Sequence, residues 1–130
     1  MPDTFTHIAL PALFHRRFGR SLLVPVVLIA TVLPDYLREL TALILPVSFY
    51  GSIYVFHTIL GAVLVSVCGS ALFRRSQRNA VFLSLLTGQS LHFLFDILQG
   101  YFCPGRFYLL FPYRYSFELK IIPEQYWLYI

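Results

Sequence analysis

Charge is what this sequence has least of. Only 12% of its 130 residues are Asp, Glu, Lys or Arg, while 58% are hydrophobic; a soluble domain carries about a quarter charged residues. A chain this short needs a polar shell to face water, and the composition leaves too little to make one. An ordinary soluble domain is therefore excluded, and lipid is the expected solvent. Cysteine is scarce too. Cys68 lies deep in an apolar run near its basic end and Cys103 beyond the opposite end of the next run, so the pair is too far apart for a disulfide, whose Cα atoms must approach to about 6 Å. Cys68 reads as a small core residue. Internal repeats and low-complexity segments are absent. No basic stretch precedes an apolar core in Met1 to His7, so a cleaved signal peptide is not expected.

What charge there is has a pattern. Lys and Arg outnumber Asp and Glu by 10 to 6, but the basic residues stand in short clusters between apolar runs, as membrane flanks do. Nucleic acid is not an expected partner. Four apolar segments can be drawn: Phe5 to Phe14, followed by His15, Arg16, Arg17 and Arg20; Ser21 to Leu33, closed by Pro34, Asp35, Arg38 and Glu39; Ile53 to Phe73, ending at Arg74, Arg75 and Arg78; and Ala80 to Leu98, ending at Gly100, which suits a helix C-cap. The last two approach the roughly 20 residues that span a bilayer. The first two, at about 10 to 15 residues, form a tilted short hairpin or a partly re-entrant pair. Thr41 to Tyr50 is apolar as well, but Pro46 and Gly51 predict a broken lid or a short interfacial helix.

The positive-inside rule puts both arginine clusters in the cytoplasm. The N-terminus, the 35–52 connection and everything after Gly100 then lie on the other side. In the tail, Tyr113 to Lys120 alternates with the two-residue period of a strand, which predicts a short hairpin, and its tyrosines with Trp127 suit an interfacial layer. The expected fold is thus one all-α domain over 1–130, an integral membrane bundle of about four helices with a short C-terminal extended or hairpin segment.

An ionisable side chain inside a membrane segment is costly, so each is a functional candidate. There are five: His7, Asp35, His57, His92 and Asp96. Counted at about 1.5 Å per helical residue from the nearest cytoplasmic arginine cluster, they stand roughly 14 to 25 Å up, in one layer. They come from four segments of alternating direction, an arrangement that chance would have scattered to both sides. His92 and Asp96, four residues apart, share one helix face. An imidazole and a carboxylate at that spacing suit Zn²⁺ or a similar divalent ion, although such a pair can also simply hydrogen-bond. Each of the others has a plainer reading: His7 as a residue near a terminus, His57 as a core histidine beside Thr58, Asp35 as a turn residue after Leu33-Pro34. His15, beside Arg16 and Arg17, reads as an ordinary interfacial residue.

At these same positions the chain resembles the LexA-binding, inner-membrane-associated metal-dependent hydrolase family. The matching pieces are Thr6-His7, Leu33-Pro34-Asp35, His57-Thr58, and His92-x-x-x-Asp96-x-x-x-Gly100 followed by Leu109-Leu110-Phe111-Pro112. Their order and spacing agree over most of the chain. The resemblance implies hydrolase activity, looks distantly like the zinc-dependent phospholipase C type of helical metalloenzyme, and makes His7, Asp35, His57, His92 and Asp96 the metal ligands. The chain departs from the family pattern at Leu37, where a second aspartate is usual, at Ser52, where another histidine is usual, and at Phe56, where the family has Thr before its His. With fewer ligands than the pattern allows, one ion is expected rather than two.

Metal-assisted hydrolysis of a phosphoester or lipid-derived substrate at the non-cytoplasmic face of an inner or plasma membrane is the leading expectation. Whichever of Asp35 and Asp96 does not ligate would be the catalytic base. Arg38, Arg106 and Arg114 fall on the same side and can hold an anionic group, or else contact lipid headgroups. A non-catalytic metal-binding protein or scaffold is the first rival. A transporter using the His and Asp residues as a relay is the second, less favoured because such relays extend through the bilayer.

Overall fold

The computed structural model of the chain describes residues 4–14, 22–46 and 54–99. They form helices α1 (Thr4–Phe14), α2 (Val24–Ala30), α3 (Leu33–Ile44), α4 (Ile59–Ala71) and α5 (Arg78–Gln99), with a 3-10 turn at Tyr54–His57 before α4. The described residues contain no strand. α5 is the central element, packed against both α2 and α4. α1 lies on α2 and α5, and α3 reaches back to the 3-10 turn.

Prolines set the breaks in the first half. Pro34 has no N–H to offer the carbonyl four residues back, so α2 stops at Ala30 instead of running on. A tight turn follows, closed by Val32 N–H donating to the Ile29 carbonyl at 3.2 Å. α3 then starts with Pro34 in its first turn, where the missing donor costs nothing. It ends at Leu45, which takes an extended conformation (φ −89, ψ 145) because Pro46 disfavours helix in the residue before it.

Thr58 sets the break in the second half. Its hydroxyl donates to the Val55 carbonyl at 2.6 Å and accepts from Gly61 N–H at 3.0 Å, capping α4. The expected single helix over 53–73 is therefore divided, and α4 is 13 residues long, about 20 Å, which is short of a bilayer core. Among the described residues α5 alone is long and apolar enough to cross a membrane, with a mean hydropathy of 1.4 over Arg78–Ile97. Three further readings shift. Cys68, expected in the core, is exposed on α4, since that face of the helix carries no neighbour among the described residues at its position. Asp35 stands in the first turn of α3 rather than after a helix end, and the lid or interfacial piece expected from Thr41 belongs to α3 as far as Ile44. The tail hairpin and the Gly100 cap lie outside the described residues.

Close approach and polar bonds hold the helices together. A Cβ on Gly88 would lie 2.4 Å from the Val27 carbonyl oxygen, so α2 and α5 touch backbone to backbone there. Ser84 accepts from Leu23 N–H at 2.8 Å. The buried Gln89 amide donates to Ser66 Oγ at 3.0 Å, tying α5 to α4. The apolar core is small, built on Ala30, Val81 and Leu85 with Val26 and Leu33 against it. Much of the buried interior is instead polar (His7, Thr31, His57, Gln89, His92, Asp96), while Tyr36, Leu43, Ile44, Leu64 and Leu72 are exposed.

Candidate metal centre

Each site residue is placed by a local cause. His7 comes from α1 and is 1% exposed. Asp35 is delivered by the helix start that Pro34 makes. His57 ends the 3-10 turn, and the Thr58 cap fixes where that turn stops. Gly61 lets α4 press onto the turn, since a Cβ there would lie 2.0 Å from the Val55 carbonyl oxygen. His92 and Asp96 lie one turn apart on α5, both fully buried.

Nδ1 of His92 lies 2.8 Å from the Thr31 carbonyl oxygen. A carbonyl only accepts, so Nδ1 carries a proton, and in the neutral ring that a metal ligand requires Nε2 would carry the lone pair. This is how a metal-ligating imidazole is usually oriented. Nε2 faces Asp96 Oδ2 at 3.0 Å, and His7 Nε2 lies 3.3 Å from Asp96 Oδ1. His92 Nε2 and both Asp96 oxygens are buried without a hydrogen bond in the structure. Polar atoms this close and this deeply buried without a hydrogen bond would be satisfied by a cation between them. The spacing fits: a tetrahedral ion with bonds near 2.1 Å holds its ligands about 3.4 Å apart.

Beside this group, His57 Nε2 donates to Asp35 Oδ1 at 3.1 Å with good hydrogen-bond geometry. The His57 and His92 rings are 5.3 Å apart. Asp35 is the more open of the two carboxylates, its side chain 15% exposed.

The five residues fall into two overlapping triads, His7–His92–Asp96 and Asp35–His57–His92, the ligand atoms of each lying within 4.8 Å of one another. Arg38, on the exposed side of α3, is engaged with Glu39 at 2.6 Å. Arg106, Arg114 and Ser52 lie outside the described residues. Leu37 and Phe56, the other departures from the family pattern, lie on α3 and in the 3-10 turn.

Residue-by-residue reading of the sequence missed the orienting group, Thr31, and the glycines that bring elements together. Pro34 was the available signal, because a broken helix leaves carbonyls without internal donors. Comparison with models of protein families, with curated proteins and with solved structures finds no match for the chain.

Proposed function

We propose that the protein is a multi-pass protein of an inner or plasma membrane that holds a divalent ion, Zn²⁺ by its donor set, and hydrolyses a phosphoester or lipid-derived substrate at the non-cytoplasmic face. One observation carries the reading. An imidazole nitrogen and a carboxylate, on side chains 0 and 1% exposed, face each other at 3.0 Å with no hydrogen bond. The inverted distribution of polar and apolar side chains supports the membrane setting, as does the exposed cluster Arg74, Arg75 and Arg78 between α4 and α5.

His7, His57, His92, Asp35 and Asp96 are the residues that would hold the ion, which supplies a water of lowered pKa and polarises the scissile group. The chain does the rest. Thr31 fixes the His92 ring through Nδ1–H. Asp96 is closed in by His7 and His92 and Asp35 is the more accessible carboxylate; whichever of the two does not ligate would accept a proton from water. Arg38, paired with Glu39 on α3, would be a contact for an anionic substrate.

The test is elemental analysis of detergent-purified protein beside its His92→Ala variant, followed by a phosphoester and phospholipid hydrolysis screen with and without chelator. Stoichiometric metal in the wild type alone, with chelator-sensitive turnover, is the expected result. Turnover that is indifferent to both chelator and His92→Ala would count against the proposal.

A second reading has a specific observation behind it. The side chains of His7, His92 and Asp96 are no more than 1% exposed, and closed shells are the mark of structural metal sites. A bound ion with no turnover and no exchangeable water would favour a metal-holding scaffold.

A further inference from the structure

We infer that the five side chains form two alternative seats for one ion, hinged on His92, rather than a single five-ligand shell. The inference rests on the metal reading above and goes beyond it. Donor atoms of His7, His92 and Asp96 make one compact triad and those of Asp35, His57 and His92 another. His92 belongs to both, but its Nδ1 proton is committed to the Thr31 carbonyl at 2.8 Å, leaving Nε2 as its one ligating nitrogen. A nitrogen lone pair serves one cation. Two ions at once would leave one seat with two ligands and set like charges side by side, so occupancy is exclusive.

Each seat offers the same donors, two imidazoles and one carboxylate, but the two are not equivalent. The unsatisfied His92 Nε2 is common to both seats, but the inner one adds two carboxylate oxygens, those of Asp96, without hydrogen bonds. In the outer seat His57 and Asp35 answer each other with a hydrogen bond of 3.1 Å. The inner seat therefore gains more from an ion, and the outer one closes on itself when the ion is elsewhere. Exposure runs the other way: the side chains of His7 and Asp96 are each 1% exposed and that of Asp35 is 15% exposed. The inner seat holds the ion closed off. The outer seat leaves room for water or an anionic substrate as the further ligand, the open position that hydrolysis needs. His92 is the shared ligand through which the ion passes from one to the other.

The test is a Zn²⁺ titration of the full chain in detergent, by calorimetry and by competition with a chromogenic chelator, on the wild type, His7→Ala, His57→Ala, the double variant and His92→Ala. Circular dichroism on each confirms the fold, and His7→Asn with His57→Asn replaces any alanine variant that fails it. The expected stoichiometry is one ion in the wild type and in both single variants. His57→Ala should bind within a few-fold of the wild type. His7→Ala, left with the outer seat, should bind about 10–100-fold more weakly, a loss comparable to removing an orienting partner of a metal ligand. The double variant should lose far more than the product of the two single losses, matching His92→Ala, because it strips both seats. Losses that simply multiply, or two ions in the wild type, overturn the two-seat arrangement and leave the metal reading standing. No binding by the folded wild type overturns both.

Discussion

Gly88→Ala tests how the helix packing reaches the site. The added methyl would lie 2.4 Å from the Val27 carbonyl oxygen and 2.5 Å from Ala30 Cβ. Since non-bonded carbon contacts settle near 3.5 Å or more, α2 must retreat by about 1 Å. Thr31 directly follows Ala30 and moves with it, which stretches the 2.8 Å bond from His92 Nδ1 past the roughly 3.5 Å at which it ceases to be one. Alanine is the better helix former by about 1 kcal/mol, so an unpacked Gly88 would give a more stable variant. Overpacking costs about 1–3 kcal/mol, so the net effect expected here is destabilisation of up to about 2 kcal/mol. Loss of the orienting bond should weaken Zn²⁺ binding about 10–100-fold, or about 1.4–2.7 kcal/mol. Thermal unfolding in detergent with chelator present reads the first quantity, and chelator competition reads the second. A metal-free variant with a raised Tm, or one with wild-type affinity, would refute the reasoning from backbone contact to imidazole orientation.

Other outcomes follow from the same geometry. Thr58→Ala removes the cap on α4 and should cost about 1 kcal/mol in thermal unfolding, with some loss of Zn²⁺ affinity as His57 loses its fixed turn. Saturating the wild type with Zn²⁺ at about 100 times its Kd should stabilise it by about 2.7 kcal/mol, an increment that chelator removes and His92→Ala abolishes. Acidification should empty the site, because ligating imidazoles must be neutral. The check is bound metal against pH, and loading that does not change on acidification would contradict histidine ligation. Arg38→Ala should leave metal loading unchanged and raise KM for an anionic substrate, which separates a binding role from a structural one.

Much of the candidate site was legible because it rests on local rules. The spacing of His92 and Asp96 puts them on one helix face whatever surrounds them, and the apolar runs with their arginine ends foretold helices at α1, α2, α4 and α5. Boundaries were less legible. His57-Thr58 lies inside a hydrophobic run, and hydropathy does not register that a threonine hydroxyl bonding to Val55 and Gly61 stops one helix and starts the next. Pro34 was read as an end, yet the same residue also begins α3, since proline is poor only where an N–H is needed.

The sequence by itself determined a chain poor in charge, with apolar runs that become helices and with His92 and Asp96 on one helix face. Tertiary structure alone decided how those residues group. Whether His92 turns its lone pair towards Asp96 depends on a backbone carbonyl 61 residues away in the chain, brought there by a glycine contact between α2 and α5. Period and composition describe which face a side chain occupies. The direction of a lone pair and the number of ligands it can meet are set by distances between elements, and those exist only once the helices have packed.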